Sequence, residues 1–206
     1  MDQTVVLIFN LAVLIMSVVV HEVSHGLVAN RLGDPTAKGL GRLSFNPLKH
    51  LDFMGSFLVP LISYIGGGFI FGWAKPVPYN PYNLKNQKWG PALVAAAGPL
   101  SNFVIALFFG LALRFVSAIP SEAALAMSVI VYINVLLGIF NLVPIPPLDG
   151  SKILAGFLPY RYERQFAQLE RYGMFLVLIF IFFLFPLIVP VVPFIFRLIT
   201  GFPLIF

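Results

Sequence analysis

Five consecutive residues, His21-Glu22-Val23-Ser24-His25, concentrate more chemistry than any other stretch of this chain. On a helix, two histidines four positions apart share one face with their Cβ atoms about 5–6 Å apart. That separation lets both imidazoles grip a single Zn²⁺ at about 2.0–2.1 Å. Glu22 sits one step round the same helix, placed to take a proton from an attacking water without joining the ligand set. The pattern is that of a zinc hydrolase with Glu22 as general base. A chance match is the plain alternative. It is a poor one here, because the motif ends a long apolar run, and an ionisable group in a membrane helix costs about 2.5–3.5 kcal/mol on insertion scales.

Two imidazoles leave a catalytic zinc one protein ligand short. The chain has no cysteine, only three histidines and only eight Asp or Glu, so the third donor comes from a small set. Asp149 stands out. It follows Pro144, Pro146 and Pro147, which cannot sustain a helix, and Gly150 after it permits a turn. Irregular backbone at membrane depth is tolerated where it lines a cavity. The competing reading is that Asp149 merely caps the next helix. His50 is a rival donor, but its neighbours Lys49 and Asp52 suggest a solvated loop. Glu122 is expected on the far side of the membrane.

The elements that must position these residues follow from composition. With 59% hydrophobic and only 10% charged residues in 206 positions, too little polar surface remains to face water. An all-α, polytopic membrane bundle forming one domain is expected, with five to six membrane segments. The first helix is read at 5–32. It is taken as a retained helix rather than a cleaved leader, because no Lys or Arg precedes the run. Residues 34–52 read as a short β-hairpin or an irregular loop. A second apolar stretch, 53–71, contains Gly55, Pro60 and Gly66-Gly67-Gly68, which argue against a straight span. Further segments are read at 92–119 and 123–140, then a break at Asn141–Gly150, amphipathic surface helices over 151–172, and a proline-interrupted apolar block over 173–206.

The basic residues fix an orientation. Arg31, Lys38, Arg42 and Lys49, then Lys75, Lys85 and Lys88, then Lys152, Arg161, Arg164 and Arg171 form three groups, with no compact run that would suggest nucleic acid. If all three groups are cytoplasmic, the N-terminus is extracytoplasmic and the motif lies near the cytoplasmic face. Residues 53–71 must then enter and leave on one side, as a re-entrant hairpin.

Together, His21–His25, Gly98-Pro99-Leu100-Ser101-Asn102 and Asn141–Gly150, with its Pro-Pro-Leu-Asp-Gly ending, resemble the site-2 protease family of intramembrane zinc metalloproteases. The stretch Gly72-Trp73-Ala74-Lys75-Pro76-Val77-Pro78 is similar to that of its small bacterial branch, which lacks PDZ and CBS domains. The resemblance implies one Zn²⁺ per chain, with Asp149 as third ligand. It implies single-span membrane proteins as substrates, cut within the lipid bilayer of the cell membrane in regulated intramembrane proteolysis. It aligns Asn102 and Asn141 with the family's motif asparagines. Asn141 is expected to hold substrate backbone or an oxyanion. Asn102 could do the same or simply brace helices, and Gly98 and Pro99 are expected to serve close packing and a kink. Two other readings compete: a metal transporter, which would spread ionisable groups over several spans, and a dead scaffold, which would not need Glu22. No oligomeric state can be read from the sequence.

Overall fold

Apolar runs longer than 20 residues satisfy their backbone polar groups internally, which in lipid leaves the helix as the local solution. The computed structural model describes residues 2–59, 61–62, 65, 72–159 and 168–204, and among these there are helices and turns but no strand. The first helix, α1, spans Gln3–Arg31, with Asp2 capping it through a hydrogen bond from the Thr4 N–H at 3.1 Å. Its N-terminal half carries exposed apolar side chains such as Leu7, Ile8 and Leu11. Its C-terminal half is more enclosed, and Ser17, His21 and His25, spaced four apart, form one buried stripe.

The next stretch is the loop alternative rather than a hairpin: a single helical turn, α2 (Thr36–Gly39), and a 3-10 turn at Pro47–His50. Asp34 organises it. Its buried carboxylate accepts hydrogen bonds from Thr36 N and Oγ1, from Asn83 Nδ2 at 2.8 Å and from Asn80 N at 2.7 Å. Burial would raise the Asp34 carboxyl, but these donors outweigh it and hold the group below its usual range. His50 is not solvated as the sequence suggested. It is 2% exposed, paired through Nε2 with Ser44 O at 2.8 Å, because the loop folds back over it.

Of the stretch read as re-entrant, Pro60 and Gly66–Gly68 lie outside the described residues, as do Arg161 and Arg164. Its two ends, however, meet. Trp73 N donates to Gly55 O at 3.0 Å and Lys75 N to His50 O at 2.8 Å, so the chain returns to the place it left.

Helix α3 (Gly90–Phe115) is the centre of the bundle. Gly98, Asn102, Ala106 and Gly110 line one face at four-residue intervals and are buried, and small residues there let neighbouring helices approach closely. Helix α4 (Ser121–Leu142) packs along it. After the break, α5 (Asp149–Phe157) begins at the candidate ligand itself. The last block divides into α6 (Gly173–Ile179), a π-turn at Phe180–Leu184, α7 (Phe185–Ile188) and α8 (Val191–Thr200). Val192, Phe196 and Ile199 of α8 close a core with Ala106, Val131 and Val135. Among the described residues, four helical segments are long and apolar enough to cross a membrane: 3–31, 90–115, 121–142 and 170–188. The multi-pass helical architecture thus stands, with α8 as a shorter apolar helix.

Candidate metal centre

The C-terminal half of α1 projects His21, Glu22 and His25 toward the groove between α3 and α5, and their ligand atoms lie within 4.8 Å of one another. Asp149 comes from the opposite side, in the first turn of α5. Its Oδ2 stands 3.0 Å from His21 Nε2 and 3.2 Å from His25 Nε2. Ligands held at about 2.0–2.1 Å round a tetrahedral ion stand about 3.3 Å apart, close to these separations.

The tautomers explain why these three atoms need a cation between them. His25 Nδ1 lies 2.7 Å from the Val94 carbonyl, which can only accept, so the ring donates there. His21 Nδ1 lies 2.7 Å from Asn102 Oδ1. That oxygen is assigned by its own amide nitrogen, which donates to Asn134 Oδ1 at 2.9 Å and Ser17 O at 3.3 Å. In its neutral form each ring therefore carries its proton on Nδ1 and turns an Nε2 lone pair toward Asp149. Asp149 Oδ2 is buried with no hydrogen-bond partner among the described residues. Three converging lone pairs, two of nitrogen and one of an anionic oxygen, fit a divalent ion.

Glu22 is the other acid within reach of the imidazoles. Its Oε2 accepts the Val77 N–H at 2.8 Å, so the Pro76-Val77-Pro78 loop holds one carboxylate oxygen. Unlike Asp149, it is not held between the two Nε2 atoms.

Packing keeps the site open. A Cβ added to Gly98 would lie 2.5 Å from His25 Nε2 and from His21 Cε1, and closer still to His21 Nε2. Only glycine leaves room for both rings. Gly150 plays the same part for Asp149, since a Cβ there would collide with the Leu142 carbonyl. Behind the turn, Val143, Leu148, Val177 and Phe180 form a small core that anchors the start of α5.

A cavity of about 150 Å³ opens onto the centre, and its polar walls include Glu22, Tyr79, Asn141, Asp149 and Lys152. The Asn141 Nδ2 donates to Leu137 O at 3.0 Å, while its Oδ1 has no partner among the described residues. Burial pushes the Tyr79 phenol above its ordinary value, with the nearby Lys152 opposing.

The sequence reading thus finds His21, Glu22, His25, Asp149 and Asn141 round one cavity. Asn102 does not line it. Its amide is fully buried behind His21 and spent on Ser17, Asn134 and the imidazole, which leaves nothing for a substrate or an oxyanion. Two residues that the sequence did not single out complete this network. Asn134 donates to Ser17 Oγ at 2.9 Å and to Ile130 O at 2.9 Å. An amide in the middle of an apolar span was the available signal, since such groups are costly unless paired.

Comparison with known proteins places the chain among zinc metalloproteases. The family model described as Peptidase family M50 matches residues 9–127 and 117–185. The "Putative zinc metalloprotease YwhC" of Bacillus subtilis is 38% identical over 174 residues, covering 81% of this chain and 76% of that protein. The "Putative zinc metalloprotease Rip2" of Mycolicibacterium smegmatis is 30% identical over 175 residues, covering 84% of this chain and 66% of that protein. The "Zinc metalloprotease MJ0392" of Methanocaldococcus jannaschii is 28% identical over 153 residues, covering 72% of this chain and 34% of that protein. No solved structure matches the chain.

Proposed function

This chain belongs to peptidase family M50, the site-2 proteases, and from that premise we propose that it cuts single-span membrane proteins within the bilayer of the cell membrane, as a zinc-dependent endopeptidase of regulated intramembrane proteolysis. The observation that carries the reading is the convergence of His21 Nε2, His25 Nε2 and Asp149 Oδ2, each of which offers a lone pair when the rings are neutral. These three residues would hold one Zn²⁺. When bound, the ion supplies Lewis acidity, lowering the pKa of a water toward about 7 and polarising a peptide carbonyl.

The remaining work falls to the chain's own side chains. Glu22, with one oxygen fixed by the Val77 N–H, offers the other to take a proton from the attacking water. The same carboxyl then returns that proton to the leaving amide nitrogen. Asn102, itself held by Asn134 and Ser17, keeps the His21 ring in its tautomer and orientation. Asn141 lines the cavity, and its Oδ1, without a partner among the described residues, is suited to accept an N–H of substrate backbone.

The size of the cavity bears on how a substrate enters. A helix is about 10–12 Å across with its side chains, far more than a 150 Å³ space admits. A transmembrane substrate must therefore unwind locally, and spans containing Gly, Pro or Asn are expected to be cut in preference. The basic groups around Arg31–Lys49 and Lys75–Lys88 support an orientation with the N-terminus outside and the centre near the cytoplasmic face. The hydrogen bonds joining residues 50–55 to 73–75 support a re-entrant path between them.

The test is cleavage of a single-span reporter by the purified protein in proteoliposomes. Activity is expected to vanish with a zinc chelator, to return with zinc, and to be absent from Glu22→Gln while that variant keeps its metal. Cleavage by Glu22→Gln at the wild-type rate would refute the proposal.

A further inference from the structure

One cation in the cavity is left over by this account. Lys152 lies three residues after Asp149 on α5, and side chains at that spacing share a helix face. It lines the same 150 Å³ space as Glu22, His21, His25 and Asp149. Its Nζ stands 5.7 Å from the centre of the Tyr79 ring, and among the described residues it has neither a hydrogen bond nor an ion pair. The Tyr79 hydroxyl likewise has no hydrogen-bond partner there. Surface lysines keep their ammonium in water by extending outward. This one is half-buried against an aromatic face and lines the cavity that holds the candidate ligands.

We propose that Lys152 is a further catalytic residue of the peptidase, its ammonium donating a hydrogen bond to the substrate carbonyl oxygen as that oxygen becomes negative, with Tyr79 steering the side chain. The inference rests on the hydrolytic reading above and adds a second electrophile to it. When a peptide carbonyl is attacked, the C=O π pair moves onto oxygen. A fixed donor aimed at that charge lowers the barrier because the interaction is stronger in the transition state than with neutral substrate. No proton leaves Lys152. The water's proton travels through Glu22 to the leaving nitrogen, and the oxyanion reforms the carbonyl as the C–N bond breaks. The two imidazoles and Lys152 line the same cavity, so a carbonyl bound there meets both. Tyr79 fits the steering role, since its ring face attracts the cation and limits its swing.

The proposal is tested by two measurements on the full chain in detergent micelles. The first is turnover of a single-span substrate with no acidic residue near the cut, which removes ion pairing with the substrate as an explanation. Lys152→Met is expected to lose about 100-fold in kcat, in the range seen when one oxyanion donor is removed, with KM nearly unchanged. Lys152→Arg is expected to recover part of the loss. The second is binding of a peptide phosphinate, whose tetrahedral anion mimics the attacked carbonyl, and it needs no turnover. Lys152→Met is expected to weaken phosphinate binding by a similar factor while leaving zinc content and the affinity of the uncleaved peptide for a Glu22→Gln background unchanged.

Wild-type kcat in Lys152→Met, or undiminished phosphinate affinity, would overturn the assignment. Should Lys152→Met lose its zinc, Lys152→Ala with added methylammonium decides the matter: recovered phosphinate binding supports the role and absent recovery refutes it. Failure of the hydrolytic reading looks different, as it would show as a wild-type chain that never cuts its substrate.

Discussion

Replacing Gly98 by alanine should cost this protein its metal while leaving its helices intact. The added Cβ would lie 2.5 Å from His25 Nε2 and from His21 Cε1. Non-bonded carbon contacts settle at about 3.5–4.0 Å, so the shortfall is about 1 Å. Either the rings retreat by that amount or α3 moves away from α1. Metal–ligand distances tolerate only about 0.2 Å, and swinging the rings also breaks the Nδ1 bonds to Asn102 and Val94. Helix propensity works the other way, since alanine within a helix is better than glycine by about 1 kcal/mol. A defect therefore cannot be blamed on the helix itself. Gly39 provides the control, because a Cβ there meets nothing within 4 Å. The assay is zinc retained per chain in detergent against graded chelator, alongside far-UV circular dichroism. Gly98→Ala is expected to bind zinc about 100-fold more weakly at unchanged helicity, and Gly39→Ala to match the wild type. Wild-type zinc affinity in Gly98→Ala would refute the packing argument.

Three further outcomes follow from the same geometry. Asn134→Ala frees the amide that orients Asn102 and is expected to lower peptidase activity by about 10–100-fold, as for other partners of metal-binding histidines, measured as turnover per bound zinc; undiminished turnover would contradict the network. Gly150→Ala forces the start of α5 away from the Leu142 carbonyl and should displace Asp149, read as lost zinc with little loss of helix. Asp34→Asn should destabilise the neutral-pH protein by about 1–3 kcal/mol, because buried donors lose a charged acceptor. The Asp34 pKa is depressed on folding, so its contribution is full above the unfolded value of about 3.9 and disappears as pH falls through the folded value. Thermal melts of wild type and Asp34→Asn should therefore converge below pH 4, and an undiminished gap there would contradict the assignment.

How much of this could be read from the residues alone depended on range. His21, Glu22 and His25 are near neighbours on one helix, so spacing places them before any tertiary contact is known. Asp149 was legible for another reason: prolines that end a helix inside an apolar chain leave few acceptable places for a carboxylate. The Ser17–Asn102–Asn134 network was not legible as a unit, since it joins three helices across 85 and 117 positions and exists only once they pack. Gly98 was read as a packing residue, which it is, but nothing in the sequence says that what packs against it is the pair of imidazoles. The hydrogen bond from Val77 to Glu22 is a backbone contact, and a backbone donor leaves no mark on residue type. His50 misled for a local reason, because its charged neighbours suggested water while the fold turned the ring inward.

The most direct test of the account is which carboxylate joins the two imidazoles, and zinc K-edge absorption on the wild type, Glu22→Gln and Asp149→Ala reads it. The account predicts two imidazole nitrogens and oxygen donors at about 2.0–2.1 Å, a spectrum unchanged in Glu22→Gln, and the loss or replacement of an oxygen donor in Asp149→Ala. A spectrum altered by Glu22→Gln and indifferent to Asp149→Ala would make Glu22 the ligand, and the proposed division between metal-holding and proton-moving residues would be wrong.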